Sequence, residues 1–168
     1  MKKAINYIDI SIYKCIPKQV NLGCGDCYKI GYINTDIKED VVYNRKKEPD
    51  IYCDFTDIYF DNNSLDKILF SHTLEHFQRH EAIILLTRFN KWLKQNSGVL
   101  NIFVPDVNAC ILEYPNSTYA RRKELIRHMW GSHEGFWAIH CEGYFNENLK
   151  ELLEACGFFN ITFKNYGG

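Results

Sequence analysis

Proline is scarce and long apolar stretches are missing. The chain carries four prolines in 168 residues, and its central apolar run, Ala82 to Leu86, falls far short of the roughly 20 residues that cross a bilayer. No membrane span is expected. An excess of charge is missing too: 20 Lys and Arg oppose 21 Asp and Glu for a net charge of -1, so no sequence-wide cationic field exists to hold a phosphate backbone. Nucleic acid is therefore not an expected partner. Internal repeats, low-complexity tracts and Pro/Gly/Ser-rich linkers are also lacking. Met1-Lys2-Lys3 resembles the start of a secretory leader, but Asn6 and Asp9 interrupt what would have to be its apolar segment, which argues against secretion. Cysteine, by contrast, is plentiful. Seven residues, an odd number without disulfide-framework spacing, point to reduced thiols and a cytoplasmic location. With 46% hydrophobic and 24% charged residues, the composition is that of a folded globular chain, and the length suits a single domain over residues 1–168.

Short apolar runs alternate with helical periods. Gln19 to Leu22 reads as a strand stopped by Gly23-Cys24-Gly25, and Tyr32 to Ile37 as a second strand ending in acid. Asp66 to Ser71 and Val99 to Val104 are further buried-strand patterns, the latter closed by Pro105. Ala82, Leu85, Leu86, Phe89 and Trp92 recur at helical spacing, predicting a helix over Glu81 to Gln95 with Asn96-Ser97-Gly98 as its stop. A second helix is predicted from an Asn146 cap to Cys156, with Gly157 taking the left-handed position before Phe158 to Phe163 resumes as a strand. Alternation of this kind predicts an α/β fold, a parallel sheet with helices on both faces. Ligands of such sheets bind at the carboxyl ends of the strands.

Three strand ends carry candidate chemistry. Gly23 and Gly25 allow a tight turn whose backbone N–H groups approach a ligand with no side chain in the way. The third glycine of a dinucleotide fingerprint would fall at Tyr28, which disfavours NAD or FAD and favours a ligand without a pyrophosphate. Asp36 ends the second strand, where an acid accepts hydrogen bonds from a ribose diol. Cys53-Asp54-Phe55 offers a carboxylate to an adenine amino group beside an aromatic face.

Taken together, Val20-Asn21-Leu22-Gly23-Cys24-Gly25, Gly31-Tyr32-Ile33-Asn34-Thr35-Asp36-Ile37, Cys53-Asp54-Phe55, Asn63-Ser64-Leu65-Asp66-Lys67-Ile68, Ser71-His72-Thr73-Leu74-Glu75-His76 and Gly98 through Asp106 resemble a class I S-adenosylmethionine-dependent methyltransferase. The likeness spans about residues 18 to 163 and is strongest to the small enzymes associated with surface-polysaccharide biosynthesis. It implies a Rossmann-like fold in which the Gly-Tyr-Ile-Asn-Thr-Asp stretch replaces the usual first helix. It also implies S-adenosyl-L-methionine as cofactor and a small polar acceptor, a sugar hydroxyl or a phosphate-like oxygen. Gly23 and Gly25 would then border the methionine moiety, Asp36 the ribose, and Asp54 with Phe55 the adenine, with Leu22, Cys24, Ile37 and Ser71 completing the cofactor-binding set. Such folds usually finish with a two-strand hairpin. This sequence runs only a few residues past Phe163, so that hairpin is expected to be shortened or incomplete, leaving a sheet edge that invites a homodimer.

A sulfonium is a good leaving group, so the protein mainly aligns the acceptor and removes its proton. His72, directly after the fourth strand, is the first candidate base. His140, from the polar and aromatic loop Gly131 to His140, is the second, with His133 and Tyr144 behind them. Two rival readings compete. His72-Thr73-Leu74-Glu75-His76 also matches the His-x-x-Glu-His pattern of inverted zinc peptidases, and a chain that keeps the fold without turnover would be a cofactor-binding partner. Cys24-Gly25-Asp26-Cys27 lacks a second pair at zinc-ribbon spacing and reads as incidental thiols. No metal ligand set is assigned. Arg121, Arg122, Lys123 and Arg127 read as the solvated face of a helix.

Overall fold

The computed structural model describes residues 6–7, 18–38, 47–54 and 57–164. The chain divides into two compact units, Met1–Ser71 with Lys91–Phe103, and His72–Asn90 with Val104–Gly168.

The first unit holds the strands β1 (Asn6–Tyr7), β2 (Gln19–Leu22), β3 (Ile33–Asp36), β4 (Ile51–Tyr52), β5 (Ile58–Tyr59), β6 (Lys67–Ser71) and β7 (Val99–Phe103). Five of them form one sheet in the order β4-β3-β2-β6-β7, every neighbour parallel, while β1 and β5 pair separately. The α/β architecture expected from the sequence is therefore the one adopted. Val20, Leu22, Ile68 and Phe70 are fully buried, as the near-continuous apolar runs of a two-sided parallel sheet require. Chain order reverses between β2 and β6: from β2 the sheet grows one way through β3 and β4, and the other way through β6 and β7. This is the topological switch point at which doubly wound sheets open a crevice. The register aligns the strand ends, pairing Leu22 with Thr35 and Phe70, and Asp36 with Tyr52.

Around the sheet, Phe60 meets Trp92 edge-on at 5.1 Å and 82°, closing the core of this unit. At the amino ends of the strands, Asp66 accepts from Lys94 Nζ at 2.6 Å and from the Lys18 N–H at 2.9 Å. The Lys94 ammonium, the largest influence, holds the Asp66 carboxyl below its usual range. A depressed carboxyl stabilises the fold above the unfolded-state value and loses that contribution as pH falls through the folded one. The pair is partly exposed, so we expect Asp66→Asn to cost only about 0.5 to 1 kcal/mol at pH 7. In chemical denaturation that gap to the parent should shrink below about pH 4. A gap that widened on acidification would contradict the assignment.

The second unit is helical: α1 (Arg79–Trp92, its last two residues belonging to the first unit), α2 (Val107–Glu113), α3 (Tyr119–Trp130) and α4 (Asn146–Ala155). On α1, Ala82, Leu85, Leu86 and Phe89 make the buried stripe predicted from their spacing. The helix starts two residues before the expected Glu81, because Glu81 reaches back to accept the Gln78 N–H at 2.9 Å. It stops at Trp92 rather than Gln95: Leu93 bridges Leu65, and the Lys94 N–H donates to the Leu65 carbonyl instead of to the helix. α2 and α3 begin at Asp106 and Thr118, whose side chains accept from Ala109 N and Arg121 N. α4 runs as expected but is not capped by Asn146, its first helical residue. Asn148 does that work, accepting from Phe145 N at 2.8 Å and donating to Gly143 O at 2.9 Å. Gly157 takes the left-handed turn predicted for it, at φ 89°.

One expectation fails here. Phe158 to Phe163 forms no strand: Asn160 is left-handed at φ 55°, which breaks an extended run, and Phe159 and Phe163 face solvent. Among the described residues no strand follows α4, and β7 is the edge of the described five-stranded sheet. No helix of the described residues is long and apolar enough to cross a membrane.

Candidate functional site

The carboxyl edge of the sheet gathers the first set of site residues. After Leu22 the chain bends through Gly23 at φ 67° and Gly25 at φ 53°, left-handed positions that glycine adopts without strain. The turn stays tied to the neighbouring strand, with Cys24 N donating to Thr35 O at 3.0 Å. Among the described residues, a Cβ built on Gly25 would meet nothing within 4 Å, so the bend is open on that side. Asp36, buried at the end of β3, points one carboxylate oxygen at the Gly25 N–H at 2.8 Å and the other at the Ile37 N–H at 2.8 Å. Cys53 follows β4, its N–H on the Asp36 carbonyl at 2.8 Å. Burial, then Asp54 and Asp36, push the Cys53 thiol up to about 11, so it stays a neutral thiol beside two carboxylates. Leu22, Gly23, Cys24, Gly25, Asp36, Ile37, Asp54 and Ser71 thus lie at the aligned ends of β2, β3, β4 and β6. Phe55 lies outside the described residues.

What holds the bend was not read from the sequence. No helix forms between β2 and β3; two strand asparagines pin the connection instead. Asn34, fully buried, donates from Nδ2 to Lys29 O at 3.0 Å, Tyr32 O at 2.9 Å and Asp50 at 3.1 Å. Its Oδ1 accepts from Lys29 N at 2.8 Å and from Asn21 Nδ2 at 3.0 Å, and Asn21 in turn donates to Cys27 O at 3.1 Å. Burial raises the Asp50 carboxyl, but the Asn34 N–H, the Tyr28 hydroxyl and Lys47 outweigh it and hold it below the usual range. The available signal was two amides within strands of otherwise apolar pattern, since a buried amide needs partners.

A second cluster sits in the second unit, where Leu74–His76 forms a single 3-10 turn. His72, before it, is left-handed at φ 49° and exposed, with Nδ1 3.6 Å from Glu75 Oε1. The Glu75 carboxylate raises the His72 imidazole above its ordinary value, against burial. Because this segment is a short turn and not an α-helix, His72 and His76 do not stand one helical turn apart on one face. The His-x-x-Glu-His peptidase geometry is therefore not formed. Instead, the strap 139–144 runs alongside: Cys141 N and Glu142 N donate to Glu75 O at 2.7 and 3.2 Å, and Arg79 grips Glu142 with two bonds at 2.9 and 3.0 Å. This brings His140 edge-on to His76, ring centroids 4.9 Å apart. Burial lowers the His140 imidazole and raises the Tyr144 hydroxyl, the latter with help from Glu142 and Glu75. His133 is exposed in its loop at φ 58°. Of the candidate bases, then, His140 stands with Glu75 and His76, and His72 touches Glu75. His76 entered the sequence reading only through the His-x-x-Glu-His pattern, not as a candidate base.

Cys24 and Cys27 are free thiols, one buried and one exposed. No family model matches the chain, and no curated protein sequence does. A solved structure does: a SAM-dependent methyltransferase from Archaeoglobus fulgidus, with TM-score 0.57 and 20% identity, covers 89% of this chain. The chain spans 65% of that protein's length. The likeness shows that the two share a fold.

Proposed function

We propose that the chain is an S-adenosylmethionine-dependent methyltransferase that acts on a small polar acceptor. The observation that carries this reading is the Asp36 carboxylate bound to the Gly25 N–H at the carboxyl edge of the sheet, beside the β2/β6 switch point. A glycine bend at the end of β2 receives the methionine end, and the Asp36 carboxylate accepts the ribose hydroxyls. Asp54 serves the adenine from the next strand. The residues fit this group better than a dinucleotide, since Tyr28 stands where a pyrophosphate would need the third glycine. The cofactor supplies a sulfonium-activated methyl group, and the chain supplies alignment and a base, for which His72 and His140 are the candidates. The fold neighbour is described as a SAM-dependent methyltransferase, which supports the same activity. For the acceptor we propose a sugar hydroxyl or phosphate-like oxygen of a surface-polysaccharide precursor, on the strength of the sequence resemblance. We further propose a homodimer across the β7 edge, which sedimentation equilibrium would show as twice the chain mass.

Thermal shift decides the class. A ligand at a hundred times its Kd stabilises by about 2.7 kcal/mol. S-adenosylmethionine and its demethylated product should raise Tm by several degrees while NAD leaves it unmoved; stabilisation by NAD alone, or by none, overturns the proposal. Gly25→Ala sharpens the test. Its φ of 53° costs an L-residue about 1 to 2 kcal/mol, and the added methyl enters the open space above the bend. Binding of S-adenosylhomocysteine should weaken roughly tenfold by calorimetry, which is about 1.4 kcal/mol.

A further inference from the structure

Glu75 is 2% exposed, and neither carboxylate oxygen has a hydrogen-bond partner among the described residues. His72 Nδ1, 3.6 Å away, lies beyond hydrogen-bond reach, and burying a carboxylate without hydrogen bonds is costly. Two further imidazoles stand beside it. His76 Nδ1 is 3.0 Å from the Ile139 carbonyl and His140 Nδ1 is 3.0 Å from the His128 carbonyl. A carbonyl only accepts, so each Nδ1 carries a proton and each Nε2 of the neutral ring keeps its lone pair. Metal-binding histidines are held by this same outer bond to a backbone carbonyl. One ligand atom from each of Glu75, His76 and His140 lies within 4.8 Å of the others.

We infer that Glu75, His76 and His140 form a binding site for a divalent first-row transition ion. Two imidazoles and one carboxylate are the donor set of open zinc sites and of facial-triad iron sites; calcium and magnesium prefer oxygen-rich shells. Bonds near 2.1 Å hold tetrahedral ligands roughly 3.4 Å apart, so side-chain rotations of about 1 Å complete the site. The backbone is already in place. The Glu75 carbonyl receives two N–H groups of the 139–144 strap, and the Gly131–Ile139 bridge anchors the strap's start. With three protein ligands, a fourth position stays open to water or an oxygen ligand. An ion there would occupy the Nε2 of His140 and remove that residue as a free base, leaving His72 the remaining candidate. The site stands on these three side chains alone and does not depend on the methyl-transfer reading.

The test uses the full chain, stripped with a chelator and titrated with zinc chloride or cobalt(II) chloride. One equivalent of zinc should bind by calorimetry and elemental analysis, and cobalt should give visible d–d bands of a low-coordinate nitrogen and oxygen site. Glu75→Gln, His76→Ala and His140→Ala should each weaken zinc binding at least tenfold, while His80→Ala, an exposed histidine one turn beyond, should leave it unchanged. Circular dichroism checks that each variant folds, and the cobalt spectrum of the parent keeps the test independent of them. Substoichiometric zinc, a parent cobalt spectrum that stays that of the aquo ion, or zinc affinity unmoved in folded Glu75→Gln and His140→Ala would overturn the site.

Discussion

Asp36→Ala is expected to weaken binding of S-adenosylmethionine and S-adenosylhomocysteine by at least a hundredfold, about 3 kcal/mol. The size follows from what the carboxylate does. Each ribose hydroxyl that donates to it makes a charge-assisted bond worth about 1.5 to 3 kcal/mol, and two are lost together. The same side chain also receives the Gly25 and Ile37 N–H groups, so its removal loosens the glycine bend as well. Asp36→Asn is the sharper control. One of its two positions becomes an N–H donor that faces a backbone N–H, so it should also weaken binding, by about tenfold or more. Calorimetry with the demethylated product measures both, with circular dichroism to confirm folding. A folded Asp36→Ala protein of unchanged affinity would place the ribose elsewhere and remove the central support of the proposed function.

Asn34→Ala should produce the largest loss of stability, about 3 to 5 kcal/mol, seen as a Tm lower by about 10 °C and a matching drop in the urea midpoint. Five hydrogen bonds converge on this fully buried amide, and truncation leaves their partners facing an apolar methyl. Asn34→Asp should not rescue it. A carboxylate there keeps the acceptor for Lys29 N but turns its second oxygen toward the Lys29 and Tyr32 carbonyls and Asp50. Because these bonds hold the connection between β2 and β3, cofactor affinity should fall along with stability. A loss below about 1 kcal/mol would show that the Cys24–Thr35 and Gly25–Asp36 bonds hold the bend without the Asn34 network.

Much of the local geometry at the carboxyl edge of the sheet was legible because its residues act through the backbone near them. Gly23, Gly25 and Asp36 sit within 14 positions at the ends of two consecutive strands, and the conformation each needs is a local matter. The helices were legible where a stripe repeats, as on α1. They were missed where a single cap starts a short helix, as at Asp106, because one capping residue competes with every other turn in a chain. The failed strand at Phe158 to Phe163 has the same cause in reverse. An apolar run signals a strand only if a neighbour supplies its hydrogen bonds, and none of the described strands does so here.

The parallel sheet and the bend that follows β2 were determined by the sequence alone, since hydrophobic period and glycine geometry are properties of neighbouring residues. Which polar groups meet was decided only by the tertiary structure. Asn34 finds Asp50 across a connection, and His140 reaches Glu75 and His76 from more than sixty residues away because the 139–144 strap hydrogen-bonds to the Glu75 carbonyl. Hydrogen bonds and metal ligation depend on ångström-scale approach, and no spacing along a chain encodes the approach of distant segments until the backbone between them has folded.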